Sequence, residues 1–152
     1  MTERHTMRYA ACGLDNVVIE GIAPVTDDDG EEVLTLPHVA RLHKVIAEDI
    51  INAPTSLVGK ELRFLRTEAG WTQAELARSL QKEPLTVSRW ERGERPIDVT
   101  TDFTLRVLFM ERLGLRFDGG MTALIEQMVS RVDGHTIRID GSDPAAPQRI
   151  AA

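Results

Sequence analysis

Four residues of one short stretch, Leu85, Ser88, Arg89 and Arg92, stand at i, i+3, i+4 and i+7, the spacing that places side chains on one face of an α-helix. Together they offer an apolar contact, a hydroxyl and two guanidiniums. Such a set fits the base edges of a DNA major groove: arginine bonds guanine O6 and N7 together, serine meets a donor or an acceptor, and leucine touches a thymine methyl. Val87 and Trp90 fall on the other side, where they can fasten the helix to a core. The rival interpretation is a helical hairpin whose cationic face is merely solvated.

The flanking residues supply the elements that would hold such a helix. Lys60 to Gly70 reads as a helix with Leu62, Leu65 and Ala69 inward and Gly70 closing its end. Thr72-Gln73-Ala74-Glu75 has the form of a capping box, in which threonine accepts from the amide three residues on and the glutamate reaches back. A second helix therefore runs from Thr72 to about Leu80. A turn of three or four residues leads to Pro84, suited to a first helical position, and Gly93 ends the third helix. A solvated hairpin accounts for each piece alone, but not for the capping box, short turn and polar face occurring together.

Charge is distributed unevenly over the 152 residues, whose formal net charge is −6. Residues 1–58 hold 4 Lys/Arg and 10 Asp/Glu, residues 59–95 hold 8 and 6, and residues 96–152 hold 6 and 8. An anionic partner is expected at the middle segment. The single cysteine excludes an internal disulfide and a cysteine-rich zinc site. The apolar runs fall short of the ~18–20 residues needed to span a bilayer, and the first residues lack the pattern of a secretory signal. The cytoplasm is the expected compartment, with no membrane role.

Leu62-Arg63, Gly70-Trp71-Thr72-Gln73-Ala74-Glu75-Leu76-Ala77 and Val87-Ser88-Arg89-Trp90-Glu91-Arg92-Gly93 resemble the Xre family, the helix-turn-helix shared with lambdoid phage repressors. The resemblance covers about a quarter of the chain. It implies that Pro84, Leu85, Ser88 and Arg89 face base edges, and that Thr72, Gln73, Lys82 and Arg92 contact phosphate. Pro84 and Leu85 stand where relatives often carry polar residues, which shifts the expected readout toward Ser88, Arg89 and DNA shape.

Around this segment, residues 1–36 read as short strands at Met7–Cys12, Asn16–Glu20 and Glu32–Leu36, with Asp27-Asp28-Asp29-Gly30 a solvated hairpin tip. A helix follows Pro37, and Asn52–Ser56 reads as a linker. Tyr9-Ala10-Ala11-Cys12-Gly13-Leu14-Asp15-Asn16-Val17 ahead of such a helix-turn-helix resembles MqsA-type antitoxins, in which an N-terminal module meets a toxin. Their paired zinc cysteines are absent here, so no metal and no other cofactor is expected.

Helices are expected over Asp98–Leu113 and from Met121 to about Val132. Apolar residues on more than one face of the first imply deep packing, a second subunit, or both; Phe103, Val107, Met110 and Leu113 are the expected dimer contacts. The expected fold is mainly α: a five-helix, lambda-repressor-like helix-turn-helix domain over residues 58–134, an N-terminal α+β region over 1–57, and a largely disordered tail over 135–152. A homodimer reading a palindromic duplex to repress its own operon is the leading expectation, and an antitoxin neutralising a toxin protein through the N-terminal region is the alternative. No Gly-rich phosphate loop, nucleophile motif or metal-ligand spacing points to an enzyme.

Overall fold

A computed structural model of the chain describes residues 3–129 and 134–150. The chain forms two compact units, Met1–Asp49 with Thr136–Ala152 and Ile50–His135. The division falls inside helix α1 (Val39–Asn52), earlier than the boundary expected near residue 57.

The first unit is built on a four-stranded sheet of β1 (His5–Arg8), β2 (Val17–Ile22), β5 (Ile137–Asp140) and β6 (Gln148–Arg149), in the order β1-β2-β5-β6. Strand β2 pairs antiparallel with β1 and parallel with β5, Val17 facing Ile137 and Ile19 facing Ile139. All four of these residues are buried, as are Leu42, Ile46 and Ala47 of α1. The expectation of a disordered tail is therefore corrected. Ile137 and Ile139 alternate at the two-residue period that fills one sheet face, within a Gly- and Asp-rich stretch that masked it. Their partner strand lies at the other end of the chain, where no local pattern reveals it.

A separate hairpin pairs β3 (Pro24–Thr26) with β4 (Glu32–Leu34). The acidic tip closes on itself, Asp27 Oδ1 accepting from the amides of Asp29 at 3.0 Å and Glu31 at 2.8 Å.

The second unit comprises the last turn of α1 and helices α2 (Gly59–Glu68), α3 (Gln73–Ser79), α4 (Pro84–Glu91), α5 (Val99–Leu113) and α6 (Gly120–Val129). Residues 130–132, expected to end the last helix, lie outside the described residues. Leu62, Leu65, Leu76, Val87, Leu105 and Phe109 are fully buried at its core. Asp98 caps α5, accepting from the Thr101 amide and hydroxyl, and Gly114, at φ +64°, ends it.

Among the described residues, Arg106 on α5 is the largest fully buried side chain. Its Nη1 donates to the carbonyls of Ile50, Ile51 and Ala53 at 3.1, 2.7 and 3.1 Å, and its Nη2 to Thr55 O at 2.5 Å. Nε donates to Asp102 Oδ1 at 2.6 Å, while Asp102 Oδ2 accepts from the Leu57 amide at 2.7 Å. The end of a helix leaves carbonyls without intrahelical donors, and one guanidinium collects them here. Ala53, Thr55 and Leu57 are buried, so the stretch read as a linker is a strap fastened to α5.

Candidate nucleic-acid interface

Helix α3 starts at a complete capping box: the Glu75 amide donates to Thr72 Oγ1 at 3.1 Å, and the Thr72 amide donates to Glu75 Oε2 at 2.8 Å. It ends in a turn through Gln81, whose φ of +54° is left-handed, and the Lys82 amide donates to Ala77 O. Pro84 then opens α4 as its first residue. The α3-turn-α4 pair is the arrangement the spacing predicted.

The faces of α4 divide as the helical spacing requires. Val87 and Trp90 are buried, while Pro84, Leu85 and Arg89 are exposed and Ser88 is half-buried. Lys82 is exposed in the preceding turn. The candidate base-facing residues thus share one open surface.

Glu91 anchors that surface from behind, a role that sequence reasoning missed. Its carboxylate accepts from Arg66 Nε at 2.5 Å and Nη2 at 3.2 Å, and from Gln73 Nε2 at 2.8 Å. Arg66 also donates to Trp71 O at 2.8 Å. Helices α2, α3 and α4 meet at one carboxylate whose side chain is only 5% exposed. Its position four residues after Val87, hence on the margin of the buried face, was the available signal. Gln73, expected at phosphate, stands at the start of α3 with one amide N–H already engaged by this buttress.

Gly59 makes the α2–α4 approach possible. A Cβ there would lie 2.3 Å from Trp90 O and 2.5 Å from Glu91 O, both backbone atoms. Gly59→Ala must displace the end of α4, and is expected to lower the unfolding free energy by about 1–3 kcal/mol, the cost of overpacking. Urea unfolding followed by circular dichroism measures this, and an unchanged midpoint would refute the tight approach.

Arg92 and Ser88 are brought together more closely than their separate assignments implied. Arg92 Nη1 donates to Ser88 Oγ at 2.7 Å, while Nε and Nη2 donate to the two oxygens of Glu94 at 2.9 and 3.0 Å. These hydrogen bonds hold the Glu94 carboxyl below its usual range and raise Arg92. A phosphate reaching Arg92 competes with Glu94, a residue to which the sequence reading gave no part at this surface. Arg89 is exposed beside them, its charge also lowering Glu94.

The glutamates of this segment are unequal. Glu61, in the first turn of α2, is buried, accepts from the Val58 amide at 3.0 Å, and has its pKa raised by that burial. Glu91 is enclosed with Arg66. With those two carboxylates and one guanidinium taken inside, the exposed side chains Lys60, Arg63, Arg78, Lys82, Arg89, Arg92 and Arg95 outnumber Glu68, Glu75, Glu83 and Glu94. The surface is therefore more basic than the sequence balance of the segment.

The four expected dimer contacts, Phe103, Val107, Met110 and Leu113, are half-buried, whereas Asp102, Leu105, Arg106 and Phe109 are the buried residues of α5. On α6, Leu124 is buried, and Met121 and Ile125 are 46% and 52% exposed.

Among the described residues, no helix is long and apolar enough to cross a membrane. Comparison with curated proteins and with solved structures finds no match. Residues 62–101, from inside α2 into the first turn of α5, match the helix-turn-helix family model; this segment carries the helix-turn-helix of DNA-binding transcription regulators, with α4 as its outward third helix.

Proposed function

We propose that the chain is a sequence-specific, Xre-like repressor that binds an inverted repeat in its own operator as a dimer. The observation that carries this proposal is α4 itself: Leu85, Ser88 and Arg89 face outward on a helix fixed from behind by Val87, Trp90 and Glu91. Half-buried Phe103, Val107 and Met110 lie at i, i+4 and i+7 of α5, an apolar stripe that supports pairing of two copies. Two copies would set two α4 helices into successive major grooves and occlude polymerase. A titration of the purified protein against its own upstream DNA and a scrambled duplex, at two salt concentrations, tests the proposal. Tight, salt-sensitive binding to the first alone is expected; equal binding to both would overturn it.

A second function, neutralisation of a basic toxin protein through the N-terminal unit, is favoured by the β3–β4 hairpin. Val25, Val33 and Leu34 are 52%, 41% and 43% exposed, and an isolated two-stranded hairpin is marginal in water. Its tip carries Asp27, Asp28, Asp29 and Glu31, a charge suited to a cationic protein rather than to DNA. Co-purification with the product of an adjacent gene, lost in Val33→Asp, is the expected result; co-purification unchanged by that substitution would refute a hairpin docking site.

A further inference from the structure

The N-terminal unit is acidic, with six Lys/Arg against twelve Asp/Glu over residues 1–49 and 136–152. Half of its cations nevertheless surround one hollow. Arg41, Lys44, Val45 and Glu48 stand at i, i+3, i+4 and i+7 and form one face of α1. Opposite them, Pro147 and Arg149 complete a cavity of about 450 Å³, within the usual ~300–1,000 Å³ of small-molecule sites.

Both guanidiniums are held by other residues of the unit. Asp49, 3% exposed, accepts from Arg149 Nε at 3.0 Å. Arg41 Nη1 donates to the carbonyl of Ala145, in the same loop whose Pro144 carbonyl accepts from the His38 amide. Lys44 is exposed and has no hydrogen bond or ion pair among the described residues. Fixed guanidiniums avoid part of the ordering cost of binding. The surface between the charges, including Val45 and buried Pro147, is mostly apolar.

We propose that this cavity is a binding site for a small organic carboxylate with an apolar body. The carboxylate would sit between Lys44 and the Arg41 guanidinium, with the apolar body against Val45 and Pro147.

The test is an amide chemical-shift titration of the full chain with 4-phenylbutyrate, with 4-phenylbutylamine and inorganic phosphate as controls. Saturable shifts confined to residues 41–49 and 144–149 with the carboxylate alone are the expected result. Lys44→Gln should weaken them about tenfold, the equivalent of one charge-assisted hydrogen bond, with an unchanged melting temperature showing that the fold is intact. Shifts that do not saturate, equal responses to acid and amine, or indifference to Lys44→Gln would overturn the site. Phosphate binding as tightly as phenylbutyrate would overturn the apolar half of the proposal, leaving charge alone.

Discussion

Arg106→Met is expected to lower the unfolding free energy of the Ile50–His135 unit by about 3–5 kcal/mol, the usual cost of breaking a buried ion pair. Methionine has comparable length but no donors, so the substitution strands the Asp102 carboxylate and the carbonyls of Ile50, Ile51, Ala53 and Thr55. Buried polar groups without partners are expensive, and low dielectric magnifies the cost. Arg106→Lys retains the charge, but a single ammonium cannot span the positions reached by Nε, Nη1 and Nη2, so it should recover only part of the loss.

The double substitution Asp102→Leu with Arg106→Met separates two roles. If the ion pair alone mattered, replacing both partners with apolar groups would restore most of the stability. Because the guanidinium also collects four carbonyls and Asp102 holds the Leu57 amide, the double variant should remain far below the wild type. Urea unfolding with tryptophan fluorescence, reporting Trp71 and Trp90 of this unit, measures all four proteins. A double variant as stable as the wild type would refute the strap.

Arg89→Ala is expected to weaken binding to the preferred duplex by about 5- to 150-fold, corresponding to the ~1–3 kcal/mol of one bidentate base contact. Binding to unrelated duplexes should fall much less. Arg89 is exposed on the α4 face with Ser88 and Leu85, and the buried partners of that helix do not include it. Its removal should therefore leave the melting temperature unchanged. Lys82→Ala is the comparator: a phosphate contact weakens every duplex alike and lowers the salt slope by about 1. Titrations of both variants against specific and scrambled duplexes at several salt concentrations distinguish the two. Equal losses on both duplexes for Arg89→Ala would remove it from the base-reading set.

Local signals make the helix-turn-helix legible in the sequence. The Thr72–Glu75 box, Pro84 at the first position of α4 and the division of α4 into Val87/Trp90 and Leu85/Ser88/Arg89 faces each depend on residues within one or two turns. Such features are encoded where they act. The same locality explains Gly114 as the end of α5 and Asp98 as its cap.

Long-range pairing supplied the rest. Strand β5 joins a sheet through a parallel partner near the opposite end of the chain, so the two-residue alternation of Ile137 and Ile139 had no neighbour in sequence to support it. The Asn52–Ser56 stretch has a linker's composition, yet its carbonyls are gathered by Arg106, a residue placed by the winding of α5. Glu91 and Glu94 both read as helix-face charges. Packing turns Glu91 inward as the joint of three helices and leaves Glu94 outside, bound to Arg92. Periodicity and capping decide which elements form and which face they bury; only the meeting of distant segments decides which charged groups become internal fasteners and which remain available to a partner.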